Sequence, residues 1–143
     1  EPDAYVTPDD LTAAAKRGGI TVGTGDAVFV RVGLGAREKV HGPEDITRRA
    51  GLTPDCLRWL HHHEVSLYGG DCFERLPLPY ERYPWAFHQI GLAAMGLILL
   101  DNVDMEELAD ACRHEDRREF LLSVAPLRLP RATGSAVNPL AVF

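Results

Sequence analysis

Apolar and polar positions follow one another along the chain in blocks that predict helices and strands in turn. Apolar runs of strand length, such as "DAVFVRVG" at 26–33 and "LILLD" at 97–101, are separated by stretches with helical spacing. The tripeptide Thr-Pro-Asp at 7–9, and again at 53–55, offers a threonine cap with proline in the first turn. The alternation predicts an α/β layered architecture with at least partly parallel pairing.

The predicted elements and loops cover the whole chain as parts of one domain. In chain order they are a helix at 7–17, a strand at 26–33, a helix from 53 to the histidines at 61–63, a strand at 65–69, a helix at 84–95, a strand at 97–101, a helix at 103–114 and strands at 119–127 and near the C-terminus. Residues 34–49 read as a polar loop with a short helix around 44–50, and 69–84 as a long loop with three prolines. We expect 37–49 and 73–83 to shape a substrate pocket.

Composition narrows the class of protein. The 143 residues are 45% hydrophobic and 25% charged with a net charge of -6, which is typical of a soluble globular protein without a nucleic-acid surface. The three cysteines form no paired motif, so a reducing cytoplasm is expected. The longest apolar run, 90–100, is too short to span a membrane, and Glu1 in place of methionine indicates a missing or processed start.

Two residues frame the apolar stretch "FHQIGLAAMGLILLDN" at 87–102. His88 begins a helix with apolar flanks, so it is either a core histidine with a hydrogen-bond partner or a metal or substrate ligand. Asp101 follows a buried strand, where ligands bind in α/β sheets, but it is also placed to cap the next helix. The pattern alone leaves both alternatives open.

Other polar residues are weaker candidates. Asp71 follows a predicted strand and is either a turn residue or a substrate-binding residue. Cys72 is more typical of a buried structural thiol than of a nucleophile. The adjacent histidines at 61–63 point about 100° apart on a helix, so they indicate a solvated helix end and not a metal site.

Several stretches together resemble the C-terminal half of the cyclase family, the metal-dependent hydrolases that include bacterial kynurenine formamidase and isatin hydrolase. They are "GDAVFVRVG", "LTPDCLRWLHHHEVSLYGGDC", "FHQIGLAAMGLILLDNVDMEELADAC" and "REFLLSVAPLRLPRATGSAVNPLAVF". The resemblance implies the C-terminal portion of a layered cyclase-like β/α fold with a mixed sheet. His88 matches the family's later active-site histidine. Asp101 matches its later acid, which is a longer glutamate in kynurenine formamidases.

The resemblance also implies a function and a partner. The family's HxGTHxD motif, which supplies its main metal ligands, occurs nowhere in this sequence. A divalent metal, Zn or Mn, would then be held mainly by residues outside this chain, with His88 and Asp101 as additional ligands or catalytic groups. The N-terminal half would be a separate chain, or the protein a homo-oligomer, acting on a small amide, lactam or related carbonyl compound. The alternative is a noncatalytic binding or scaffold subunit that keeps the fold.

Overall fold

The computed structural model of the protein describes residues 4–45, 47–72, 74–76 and 81–143. The chain divides into two compact units, Glu1–Glu107 and Leu108–Phe143. The predicted loop at 69–84, and the pocket segment at 73–83 within it, fall partly on residues 73 and 77–80, which lie outside the described residues. No helix within the described ranges is long and apolar enough to traverse a bilayer.

The first unit is built on two parallel sheets. Its strands are β1 (Tyr5–Val6), β2 (Ala27–Val30), β3 (Gly51–Leu52), β4 (Leu67–Gly70) and β5 (Ile98–Leu100). The larger sheet has the order β2-β4-β5, and β1 pairs with β3. Parallel neighbours need long crossover connections, which the helices between these strands provide. The predicted α/β class with parallel pairing is confirmed.

Four α-helices and one π-helix connect or follow these strands. They are α1 (Pro8–Gly18), α2 (Leu34–His41), α3 (Cys56–His62), a π-helix (Phe87–Met95) and α4 (Glu106–His114), which crosses the boundary between the units. The predicted cap of α1 is confirmed: Thr7 accepts from the backbone N–H of Asp10, whose carboxylate accepts from the N–H of Thr7.

The core of the first unit lies between the larger sheet, α3 and the π-helix. The rings of Tyr68 on β4 and Phe87 at the start of the π-helix are 5.3 Å apart, and both residues are fully buried. Gly91 packs closely on α3, because a Cβ there would lie 3.0 Å from Leu57 Cδ2. This packing fixes the π-helix beside the end of β5, where the candidate site lies.

Two local predictions in this unit are wrong. The short helix predicted around 44–50 does not form, because the described residues there are not helical. The helix in this part of the chain is α2, which ends at His41. The backbone N–H groups of Val32, Gly33 and Leu34 at the start of α2 donate to the carboxylate of Asp71, a cap that comes from a distant part of the chain. The second Thr-Pro-Asp does not cap by its threonine, since α3 begins at Cys56 without a side-chain cap bond.

The second unit holds a short antiparallel pair, β6 (Leu121–Ser123) with β7 (Leu140–Val142). The strand predicted at 119–127 is therefore shorter than expected, and the predicted terminal strand is confirmed. The rings of Phe120 and Phe143 are 5.6 Å apart beside this pair. Parallel and antiparallel pairs thus lie in separate sheets of the described chain.

Candidate active site

The side chain of His88 lies between two carboxyl groups from different parts of the first unit. Its Nδ1 is 3.3 Å from Glu74 Oε1, and its Nε2 is 3.0 Å from Asp101 Oδ2. The π-helix supplies the histidine, and Asp101 follows the last residue of β5. The structure therefore brings together the two residues that the sequence singled out, and adds a third.

Glu74 is the most deeply buried member of this cluster, with none of its side chain exposed. Its Oε1 also accepts from the backbone N–H of Phe87 at 2.9 Å. Burial raises the pKa of Glu74, and hydrogen bonds from His88 and Phe87 act in the opposite direction. The carboxyl is thus held at the first turn of the π-helix, where the backbone N–H of Phe87 and the ring of His88 both contact it.

Asp101 is a partly exposed counterpart on the other side of the ring. Burial raises the pKa of its carboxyl, while the charge and hydrogen bond of His88 lower it. Its Oδ1 is shielded from solvent and accepts no hydrogen bond from the described residues. The cap of α4 comes instead from Asp104, which accepts from the N–H of Glu106 at 3.0 Å. The capping alternative for Asp101 is therefore excluded.

An open cleft passes beside this cluster. Its described lining consists of Trp85, His88, Gln89, Ala93 and Asp101. The indole of Trp85 is 46% exposed and stands edge-on to the His88 ring, with the ring centres 6.5 Å apart. An aromatic wall next to an imidazole and a carboxyl suits a small molecule that joins an apolar ring to a polar reacting group.

Asp71 is buried and has a different set of contacts. Its two carboxylate oxygens accept from the N–H groups of Val32, Gly33 and Leu34 at 2.8, 2.8 and 2.9 Å. It is not among the described residues that line the cleft. These bonds tie the end of β4 to the start of α2, so the contacts of Asp71 are structural and its predicted substrate contact stays a prediction.

Cys72 and the three adjacent histidines do not form a reactive centre in the described residues. Burial raises the pKa of the Cys72 thiol to about 12, and the phenol of Tyr68 donates to the Cys72 carbonyl at 3.2 Å. His61 and His62 are exposed at the end of α3, and the ring of His63 packs 4.2 Å from that of Trp59.

The side chains around His88 are of the types that bind a divalent metal, but too few of them are suitably arranged among the described residues to complete a metal site. Imidazole nitrogen and carboxylate oxygen are ligands for Zn and Mn. Within the part of the chain that the structure describes, no group of three or more His, Cys, Asp or Glu side chains is arranged to hold a metal ion. His88 and Asp101 can thus contribute to a metal site but do not complete one.

Comparisons with known proteins place the chain in a family. A model of the family described as "Putative cyclase" matches residues 1–74, which is half of the chain. The chain belongs to the cyclase family. The matched half ends at Glu74, and His88 and Asp101 lie beyond it. No curated protein matches the sequence significantly.

Solved structures of cyclases and hydrolases share the fold. A novel cyclase is 27% identical with a TM-score of 0.83, over 99% of this chain and 48% of its own. An isatin hydrolase bound to the product analogue thioisatinate is 24% identical, with a TM-score of 0.76 over 99% of this chain and 53% of its own. A potential metal-dependent hydrolase with cyclase activity is 17% identical, with a TM-score of 0.67 over 97% and 58%. The chain therefore spans about half the length of the structures it matches.

Glu74 is the site residue that sequence reasoning missed. It lies in the segment that the sequence predicts to be a loop, and no helical or strand period connects it with His88. One signal was available: an acidic residue in a proline-containing stretch shortly before a buried helix can cap that helix. The signal does not point to an imidazole partner, which only the folded chain supplies.

Proposed function

We propose that this chain is part of a metal-dependent hydrolase or cyclase that acts on an amide, lactam or related carbonyl compound. The observation that carries the proposal is the side chain of His88, held between two carboxyl groups at a cleft with an aromatic wall. Membership of the cyclase family and likeness to hydrolase structures support the reaction class. The chain spans about half the length of those structures, and the activity is proposed for the assembled protein.

His88 is proposed as the group that moves a proton. The cleft reaches its ring and Asp101, so Nε2 is the nitrogen that meets a reacting molecule. Asp101, whose Oδ2 lies 3.0 Å from Nε2, would hold the ring in position until the reacting molecule displaces it from that nitrogen. Trp85 would contact the apolar part of the substrate, because its indole is half-exposed on the same cleft.

A divalent metal, when bound, would polarise the carbonyl and lower the pKa of a bound water. Asp101 would contribute a ligand from this chain, His88 would be a second ligand where its Nε2 does not serve proton transfer, and residues outside the chain would supply the others. The buried Oδ1 of Asp101 supports this assignment, since it has no hydrogen-bond partner among the described residues and carboxylate oxygen is a good ligand.

The proposed partner is a second chain that corresponds to the other half of the structural relatives, or a further copy of this chain. Apolar side chains of the first unit support an association: Trp85, Leu92 and Ile98 are each between 45% and 55% exposed. Ile98 lies on β5, which pairs on one side only, with β4, among the described strands. An open strand edge with apolar side chains favours contact with another chain.

The test of this proposal is substitution of His88 by alanine in the assembled protein. We expect H88A to lose at least about 100-fold of the metal-dependent turnover of aryl formamides or lactams, because general acid–base catalysis contributes about that much. His62→Ala is the matched control, since this exposed histidine lies at the end of α3. Turnover that is unchanged in H88A, with assembly intact, would exclude the proposed role.

One observation favours a noncatalytic binding or scaffold subunit. His88 Nε2 already lies 3.0 Å from Asp101 Oδ2, so a ligand must displace this contact before it can reach the nitrogen. A scaffold subunit would keep this pair as a structural hydrogen bond. In that case H88A would weaken folding or assembly, and the wild-type assembly would bind no metal and turn over none of these substrates.

A further inference from the structure

We infer that Arg49 is a positioning residue that fixes the turn carrying Asp101 and thereby sets where this carboxyl lies in the cleft. The turn consists of Asp101 and Asn102, which follow β5. Arg49 comes from a distant part of the chain, and its Nη1 donates to Asn102 Oδ1 at 3.1 Å. The inference deepens the proposed function and rests on it for its catalytic consequence, whereas the position of Asp101 can be measured without turnover.

The backbone is held on both sides of this turn. The last residue of β5 pairs with β4, and the N–H of Val103 donates to the carbonyl of Gly70 at 2.8 Å. Asp101 and Asn102 therefore form a short excursion between two fixed points. Because the backbone has only two soft dihedral angles per residue, the conformation of Asn102 constrains the direction in which the Asp101 side chain points.

Asn102 adopts a backbone conformation that most residues with a side chain avoid. Its φ is 53°, in the left-handed region where asparagine is enriched. Asparagine is equally able to leave this region, so a contact that holds its side chain selects the conformation. The bond from Arg49 is such a contact, and it is charge-assisted because the guanidinium is always protonated.

Arg49 is itself anchored beside the candidate site. Its carbonyl accepts from the N–H of Leu76 at 3.1 Å, and Glu74 in the same segment contacts the ring of His88. The bond between Arg49 and Asn102 therefore connects the two segments that bear the carboxyl groups beside this ring.

A direct contact between Arg49 and a ligand is the alternative to this role. Its Nε is shielded from solvent and has no hydrogen-bond partner among the described residues, so one donor of the guanidinium is unpaired there. Arg49 is not among the described residues that line the cleft, whereas Asp101 is. The observed contact thus favours an action of Arg49 through Asn102.

Glycine at position 102 separates the two roles. Glycine adopts the left-handed conformation without a side-chain contact, so it makes Arg49 dispensable if Arg49 acts through the turn. The experiment is a set of crystal structures of the purified chain as wild type, Arg49→Met, Asn102→Gly and the double variant. Arg58→Met is the matched control, since Arg58 is an exposed arginine on α3.

The measured quantity is the contact between Asp101 Oδ2 and His88 Nε2, which is 3.0 Å long. We expect it to remain within hydrogen-bond distance in wild type, N102G, R58M and the double variant R49M/N102G. In R49M alone we expect the contact to be lost and residue 102 to leave the left-handed region.

Two results would overturn the inference. One is an unchanged contact in R49M, and the other is a contact that is lost equally in R49M and in the double variant, because Arg49 would then act without Asn102. If R49M does not fold, Arg49→Gln, whose side chain is too short to reach Asn102, replaces it in both backgrounds, and the same two results decide.

The catalytic consequence is measured separately in the assembled enzyme. We expect R49M to lower kcat by about 10-fold with KM little changed, and to have a smaller effect in the N102G background. A loss of turnover in R49M that is as large with glycine at position 102 would contradict the inference. An assembly without turnover, whose variants have the expected structures, would count against the proposed function alone.

Discussion

Buried carboxyl groups have two kinds of partner in this protein. The carboxylate of Asp71 accepts from three backbone N–H groups, whereas Glu74 and Asp101 face an imidazole. A carboxyl that satisfies backbone donors stabilises a loop, and one that contacts a histidine can hold its ring in a fixed orientation. The buried carboxyls of Asp71 and Glu74 and the partly exposed one of Asp101 therefore have different consequences for stability and for chemistry.

The first prediction at this scale concerns Asp71. We expect Asp71→Ala to lower the free energy of unfolding by roughly 3 kcal/mol, because it leaves three partly buried N–H groups without their acceptor. Asp55→Ala is the matched control, since Asp55 is exposed and its side chain makes no cap bond; its effect should stay within about 0.5 kcal/mol. Urea denaturation measures both. Equal stability of the two variants would contradict a structural role for Asp71.

A second prediction concerns the thiols. Burial raises the pKa of Cys72 to about 12 and that of Cys56 to about 11. Near pH 8 the Cys72 side chain is therefore in its thiol form, whereas the thiolate is the reactive form. We expect iodoacetamide to modify the partly exposed Cys112 first, as judged by peptide mass spectrometry, and to reach the other two only in denaturant. Rapid alkylation of native Cys72 would restore it as a candidate nucleophile.

Single residues were predictable from the sequence only where a pattern marked them. His88 and Asp101 frame an apolar stretch, and the structure places their side chains 3.0 Å apart. Glu74 reaches the same ring from a segment without periodicity, so neither spacing nor hydropathy connects it with His88. Asp71 follows a strand as expected, but its three backbone donors lie 37–39 positions away, which no local pattern reveals.

At the scale of helices and strands, the tripeptide Thr-Pro-Asp caps a helix at 7–9 but does not cap one at 53–55. Thr7 accepts the N–H of Asp10 in a reciprocal cap, while the hydroxyl of Thr53 lies 3.7 Å from Cys56 Sγ and caps nothing. We expect Thr7→Ala to destabilise the protein by about 1 kcal/mol, and Thr53→Ala by about half of that or less. Urea denaturation of the pair measures the difference, and a larger loss in Thr53→Ala would show that the caps are assigned to the wrong helix.

Helices and strands with local sequence signals were predictable, whereas those fixed by contacts with distant residues were not. α1 and the three strands of the larger sheet lie within the predicted segments or within a residue of them, because caps and apolar runs are local. α2 was missed since its first N–H groups are satisfied by Asp71 from the end of β4. The π-helix packs on α3, where Gly91 allows close approach, and no repeat in the sequence distinguishes it from an α-helix.

At the scale of the whole molecule, this chain corresponds to about half of each structural relative, at 48%, 53% and 58% of their lengths. The donors at His88 could contribute to a metal site without completing one among the described residues. Trp85 and Ile98 also leave apolar surface exposed in the first unit. The exposed apolar surface and the incomplete donor set are the features that support the proposed association with further protein.

The measurement that tests this account most directly is native mass spectrometry of the purified protein, with peptide sequencing of any associated chain. We predict a complex of this chain with a second polypeptide that contains an HxGTHxD segment, together with a divalent metal that is lost or weakened in H88A. A metal-free assembly of this chain alone would contradict the proposed enzyme and would favour the noncatalytic scaffold.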